Sequence, residues 1–240
     1  MHVPHRTPTK VFFAGTGTEV GKTYVAALVA RYLVDRGRRV GVYKPVASGC
    51  WDEPGESASD SWLGVENGRI SEDAVQLWRA AGQPRTLEDV CPQRFLAPLA
   101  PPEAASCEGN TVDPAKLLAG VDCWCGDCDI VLVEGAGGLF SPLAEGVLNL
   151  DLAISMDAPI VLVAANRLGV IHETLACVTA AANRGVRIEG IILSDVSDQD
   201  ELSKASNRSQ IERYCDIPII ASVGYQGEPE EVSGILACGF

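Results

Sequence analysis

Short apolar runs alternate along this chain with longer stretches in which apolar residues return every three or four positions. The runs at 11–14, 39–43, 130–133, 159–164, 188–193 and 217–221 have strand length and are rich in Val, Ile and Phe. Helical periodicity runs over 24–36, 171–184 and 202–214, and two more helices announce themselves by their starts. Ser71 stands at a capping position before Glu72 and Asp73, so 71–81 reads as a capped helix. Asp113 precedes Pro114 at a first helical position. The stretch 51–69 is rich in Gly, Ser, Asp and Glu without either period, and reads as a mobile surface loop. The Pro-rich stretch 91–105 reads as an irregular connection, and the last nineteen or so residues carry only a weak signal. Strands that alternate with helices in this way build a mostly parallel sheet with helices on both faces.

Composition narrows this without deciding it. The chain has 240 residues, 47% of them hydrophobic, which suits one α/β domain with a substantial core. The expected organisation is a disordered N-terminal extension over 1–10, a domain over 11–222, and a tail of that domain over 223–240. The first ten residues lack the apolar region of a secretory signal, and every apolar run is shorter than the roughly 20 residues that a membrane span needs. A cytoplasmic protein with no membrane partner is expected. A net charge of −13 repels a phosphate backbone, so no nucleic-acid partner is expected.

The strongest chemical signal is Gly15-Thr-Gly-Thr-Glu-Val-Gly-Lys-Thr23, set between the first strand and the first helix. Glycines let backbone approach an anion, and the free N–H groups at the helix start point at it with the helix dipole behind them. The arrangement is a phosphate-binding loop of P-loop NTPase type. Its usual roles give Lys22 to the β- and γ-phosphates and the Thr23 hydroxyl to Mg²⁺. The commonest pattern puts four residues between Gly and Gly-Lys, whereas here Thr16 stands at the first-glycine position and Gly15 lies one residue earlier. A second signal is Glu134-Gly-Ala-Gly-Gly138, a carboxylate at the carboxyl end of a strand, where ligands of open α/β sheets bind. Glu134 should share a crevice with Lys22 and Thr23 and can hold Mg²⁺.

Nine cysteines without an export signal point to reduced thiols. Cys123, Cys125 and Cys128 offer three ligands where a closed zinc site wants four, and they fall where a helix turns into a strand. A turn is the reading favoured over a metal site.

Taken in order, Gly15 to Thr23, Tyr43-Lys-Pro-Val-Ala-Ser-Gly49, Val133-Glu-Gly-Ala-Gly-Gly138, Ser141-Pro-Leu143 and Leu168-Gly169 with Ile171 resemble the ATP-dependent dethiobiotin synthetases. The resemblance spans about 11–221, and the Lys-Pro-Val-Ala-Ser-Gly block is its most specific part. It accounts for the long loop, which is a family trait. It implies a homodimer that closes a ureido ring on 7,8-diaminopelargonic acid with CO₂ or bicarbonate and ATP as co-substrate. It further implies that Lys44, Lys22 and Thr18 carry the catalysis. Nucleotide contacts would come from Glu19, Val20, Gly21, Lys22, Thr23, Tyr24, Asp73, Glu134, Gly135, Ala136, Gly137, Ser194 and Asp195. Thr18, Ser48, Leu168, Gly169 and Val170 would hold the substrate, the last three from the other subunit at the dimer interface. Thr23, Asp73 and Glu134 would bind Mg²⁺, with Glu72 and Asp60 as competitors for the place of Asp73.

The chain departs from the family pattern at three points. Gly17 stands where an Asp is usual, Ser194-Asp195 where an Asn-Asp pair reads adenine, and Val223-Gly-Tyr225 where an Ile-Pro-Trp-like turn is common. A Ser hydroxyl cannot present a donor and an acceptor together to a base edge, so relaxed preference among ATP, CTP and GTP is one reading. A nucleotide switch of the partitioning kind would carry a further lysine early in the loop, and none lies between Lys10 and Lys22. Two alternatives stay open: a related ligase acting on another acceptor, and a catalytically idle nucleotide-binding module.

Overall fold

A computed structural model describes residues 7–52, 68–199 and 201–239. Residues 1–6 of the expected N-terminal extension, most of the expected loop at 51–69 and Asp60 lie outside the described residues. The first strand starts at Thr9, two residues ahead of the run read at 11–14.

Six strands form one sheet: β1 (Thr9–Gly15), β2 (Val40–Tyr43), β3 (Ile130–Gly138), β4 (Ile160–Ala165), β5 (Ile188–Ser194) and β6 (Ile219–Val223). Their spatial order is β6-β5-β4-β1-β3-β2, and every pairing is parallel. β4 is buried along its whole length, β3 from Ile130 to Gly135 and β1 from Val11 to Gly15, which explains why they read as continuous apolar runs rather than alternating ones. Among the described residues, eight α-helices accompany the sheet: α1 (Lys22–Val34), α2 (Glu72–Ala80), α3 (Leu87–Val90), α4 (Pro101–Cys107), α5 (Pro114–Ala119), α6 (Asn149–Ser155), α7 (Val170–Asn183) and α8 (Lys204–Tyr214). Among the described residues, no helix is long and apolar enough to cross a membrane.

The expected helix starts are as read. The Ser71 hydroxyl accepts from the Ala74 N–H, and the Asp113 carboxylate accepts from the N–H groups of Ala115 and Lys116, with Pro114 opening the helix. Elsewhere the structure corrects the reading. The connection at 91–105 contains the start of α4, where Pro101 and Pro102 preset helical φ angles and the Ala100 carbonyl accepts from Ala104. The weak-signal tail carries a 3₁₀ stretch, Pro229–Cys238, packed beneath α1 and β6. The strand read at 130–133 continues to Gly138, so Glu134 sits within β3 rather than at its end. The cause is the parallel pairing with β1, which resumes at Gly15 and Gly138 after a break in register.

Candidate active site

The carboxyl ends of β1, β2 and β3 put the expected charges in one place. β1 leads into the glycine loop and α1 at Lys22, β2 ends one residue before Lys44, and β3 carries Glu134 opposite Phe13. Segment 44–50 is held in place by hydrogen bonds from Lys44 N–H to the Val90 carbonyl and from Ala47 N–H to the Gln93 carbonyl. α2 faces this segment with Asp73 in its first turn.

In the loop itself, Glu19 adopts φ +57° and Gly21 φ +86°, both left-handed. A Cβ on Gly21 would also lie 2.5 Å from Ser194 Oγ. Gly21 opens α1 with no side-chain cap, so the N–H groups of its first turn stay available to an anion. Lys22 lies back along the loop, its Nζ donating to the Gly17 carbonyl at 3.1 Å. Gly17 has ordinary φ and open space around it, so the usual Asp would fit here; the missing charge follows from the sequence and not from crowding.

The charged core of the site is a clamp on Lys44. Its ammonium lies 2.6 Å from Glu134 Oε1 and 2.7 Å from Asp73 Oδ2, and its side chain is 4% exposed. The Thr23 hydroxyl donates to the same Glu134 Oε1 at 2.8 Å. Burial works against the charged form of Lys44, but Glu134 and Asp73 outweigh it and hold the ammonium well above the usual lysine range. Burial likewise acts against ionised Asp73, and Lys44, Thr23 and Lys22 overcome it, keeping that carboxyl below its ordinary value. Lys22 shifts the other way: burial, aided by the neighbouring Lys44, lowers its pKa against the pull of Glu134 and Asp73. Glu134 is fully buried, and its second oxygen, Oε2, has no hydrogen-bond partner among the described residues. An orphaned buried carboxylate oxygen is costly, and beside a hydroxyl and a second carboxylate it forms a donor set suited to a hard cation.

These groups line a pocket of about 900 Å³. The expected residues on its wall are Thr18, Glu19, Gly21 to Tyr24, Lys44, Ser48, Asp73, Glu134, Ala136, Gly137, Ser194 and Asp195. Val20 and Gly135 are displaced from it: Val20 is buried beneath the loop, and Gly135 packs on Asn149, where a Cβ would meet Oδ1 at 2.1 Å. Leu168, Gly169 and Val170 are not on this wall either; Leu168 is 78% exposed at the start of α7 and Val170 is buried. Arg167 beside them pairs with Glu173 at 2.8 Å. Glu72 is exposed, so of the two described acids at the start of α2 it is Asp73 that enters the site.

At the far end of the pocket the picture changes. Ser194 is buried against Gly21, and its hydroxyl has no partner among the described residues. The Asp195 carboxylate accepts from Asn166 Nδ2 at 2.9 Å and lies 3.5 Å from Lys204, while Tyr225 and Gln226 face the pocket from the exposed turn after β6. Gln226 and the apolar wall from Pro98 to Pro101 were not foreseen. Nor was Gln76, although it stands three residues after Asp73 on one helix and so on the same face. Asn149 was also missed. Its buried amide donates to the carbonyls of Ala136, Gly138 and Ser141 and so pins the glycine segment after Glu134.

Cys123, Cys125 and Cys128 lie in the connection between α5 and β3. Cys125 is exposed, Cys128 is buried against Gly41, and Cys123 donates to the Gly120 carbonyl. Among the described residues no group of three or more His, Cys, Asp and Glu could hold a metal ion.

Residues 9–231 match a family model described as an AAA domain. A protein of Rhodopirellula baltica named ATP-dependent dethiobiotin synthetase BioD is 44% identical over 228 residues, 91% of this chain and 85% of that one. Proteins of the same name from Caulobacter vibrioides (36% identical, 81% and 83% covered) and Bacillus subtilis (34%, 87% and 84%) are similar as well. Among solved structures, the signal recognition particle receptor FtsY of Elizabethkingia anophelis superposes with a TM-score of 0.54 at 12% identity, over 96% of this chain and 64% of that one. Chloroplast FtsY of Physcomitrella patens gives 0.52 at 15% identity, with 100% and 67% covered. These two likenesses bear on the fold alone, a P-loop α/β sheet.

Proposed function

Because the chain belongs to the family of ATP-dependent dethiobiotin synthetases, and is thus an enzyme of the ligase class, we propose that its pocket closes the ureido ring of dethiobiotin from 7,8-diaminopelargonic acid, CO₂ and ATP. The observation that carries this reading is the clamped Lys44 beside the phosphate loop. One amine of the substrate adds to CO₂, losing a proton and forming a carbamate. A carbamate oxygen attacks the γ-phosphorus, the bond to the bridging oxygen breaks, and ADP leaves with that electron pair. The second amine then attacks the carbonyl carbon of the carbamic-phosphoric anhydride, loses a proton and expels phosphate as the ring closes.

No covalent enzyme nucleophile is needed; positive charge at the phosphoryl group is. Lys22 and Lys44 supply it from buried positions, where charge is less screened than in water. The N–H groups at the start of α1 hold the phosphates, and Thr18 and Ser48 lie on the wall where the carbamate end would rest. Thr23, Asp73 and Glu134 fit Mg²⁺ through a hydroxyl and two carboxylates, and when bound it neutralises phosphate charge. Tyr225, Gln226 and Asp195 would meet the base.

The assembly would be a homodimer with Leu168, Gly169 and Val170 completing the pocket of the other subunit. The exposure of Leu168 supports this. The site is tested by following phosphate release and, by mass, dethiobiotin formation, with ATP, Mg²⁺, the diamine and bicarbonate. Product from the wild type and none from Lys44→Ala supports the reading; nucleotide binding without diamine-dependent turnover overturns it in favour of the idle module or of a related ligase with another acceptor.

A further inference from the structure

We propose, resting on the reading that Asp73 and Glu134 hold the divalent ion, that Lys44 is the cation these carboxylates keep until a nucleotide arrives, which makes metal uptake depend on the nucleotide. Lys44 touches both acids at 2.6 and 2.7 Å, and the Glu134 oxygen it uses is the one that also accepts from Thr23. The ammonium therefore sits among the same three side chains that would ligate the metal. Two carboxylates and two lysines, Lys44 and Lys22, leave the site close to neutral. A divalent ion entering alone would bring two uncompensated charges beside a lysine and a glutamate that are both out of water. A nucleotide changes that balance, because its phosphate oxygens accept Lys44 and Lys22, complete the shell of the metal and carry the compensating charge. Lys44 then leaves the carboxylates for the phosphate, which is where phosphoryl transfer needs it. Glu134 Oε2, buried and without a hydrogen-bond partner among the described residues, is the oxygen that can turn to the metal.

Metal binding without turnover tests this. Mn²⁺ is titrated into the nucleotide-free full chain, and free Mn²⁺ is read by electron paramagnetic resonance. Lys44→Met is expected to bind Mn²⁺ about tenfold or more tighter than the wild type. Unchanged or weaker binding overturns the proposal while leaving the metal reading standing, provided Asp73→Asn still weakens Mn²⁺ binding in the presence of a non-hydrolysable ATP analogue. If Asp73→Asn changes nothing there, the metal reading itself falls, and the proposal with it. Lys44→Met removes the partner of a buried carboxylate and can fail to fold, so a second measurement uses the wild type. The Lys44 ammonium resonance is followed by ¹⁵N NMR and assigned by its loss in Lys44→Arg. It should move when the analogue and Mg²⁺ are added together and stay in place with Mg²⁺ alone; a shift with Mg²⁺ alone overturns the proposal.

Discussion

At the phosphate end of the pocket, Lys44, Glu134, Asp73 and Thr23 are locked onto one another, with Lys44 and Glu134 out of water. At the far end, Tyr225 and Gln226 are exposed and the Ser194 hydroxyl has no partner among the described residues. The first end is held together without a ligand, its buried charges paired with one another at the carboxyl edge of the sheet. On the proposed function, the second would receive the base, away from the transferring group. Substitutions at the first end should cost folding and turnover together, whereas those at the second should cost affinity alone.

The largest effect that separates the two ends is expected from Glu134→Ala. It leaves Lys44 buried with only the half-exposed Asp73 as partner, and removing one member of a buried pair costs about 3–5 kcal/mol. Urea unfolding should show a lower midpoint with an unchanged slope, and turnover should disappear. A variant as stable as the wild type would mean that the clamp is not pre-built. Next comes Gly21→Ala. A side chain at φ +86° is strained by about 1–3 kcal/mol, and here its Cβ would also run into Ser194 Oγ. Because Gly21 lies where the two ends meet, nucleotide affinity measured by calorimetry should drop by about tenfold or more.

Tyr225→Ala tests the far end by itself. Loss of an aromatic face for stacking costs about 1–3 kcal/mol per base. KM should therefore rise by a similar factor for ATP, GTP and CTP while kcat stays put. A fall in kcat would place Tyr225 in the chemistry and break the comparison. In the same panel, wild-type discrimination among the three nucleotides should be small, because no side-chain amide occupies position 194; strict use of ATP would remove the relaxed-base reading.

The same contrast explains what could be read from the chain. Phosphate chemistry needs a lysine and a hydroxyl at a helix start and a carboxylate beside glycines, so Lys22, Thr23 and Glu134 stand inside recognisable local patterns, whereas Lys44 was marked by the family resemblance. The Ser71 cap marked the helix that carries Asp73, but only the family resemblance singled Asp73 out from Glu72 and Asp60. Gln226, Gln76 and the Pro98 to Pro101 wall reach the pocket only through tertiary packing, and no local period marks them. Helix α3 was missed although Thr86 and Asp89 form a reciprocal cap, because four residues are too few for an apolar period to show. Glu134 was placed at a strand end for a similar reason: its glycines look like a turn, and only pairing with β1 and the staple from Asn149 keep that segment extended.

The smallest expected effect comes from a tie that belongs to neither end. Arg39 and Asp129 stand just before β2 and β3, at the amino edge of the sheet, while the pocket lies at the carboxyl edge. Hydrogen bonds from the Arg39 guanidinium and N–H lower the Asp129 pKa from 3.8 to about 2. A depressed carboxyl pKa stabilises the fold fully above the unfolded value, and that stabilisation is lost as pH falls from near 4 through about 2. Asp129→Asn should therefore lower stability at neutral pH by no more than about 1 kcal/mol, since both groups are partly solvated, and by progressively less as pH falls through about 2. Thermal melts across that range check the sign, and turnover at neutral pH should equal that of the wild type. If so, a small loss of stability at the amino edge does not reach the chemistry, and the losses expected at Glu134 belong to the clamp itself and not to the sheet that carries it.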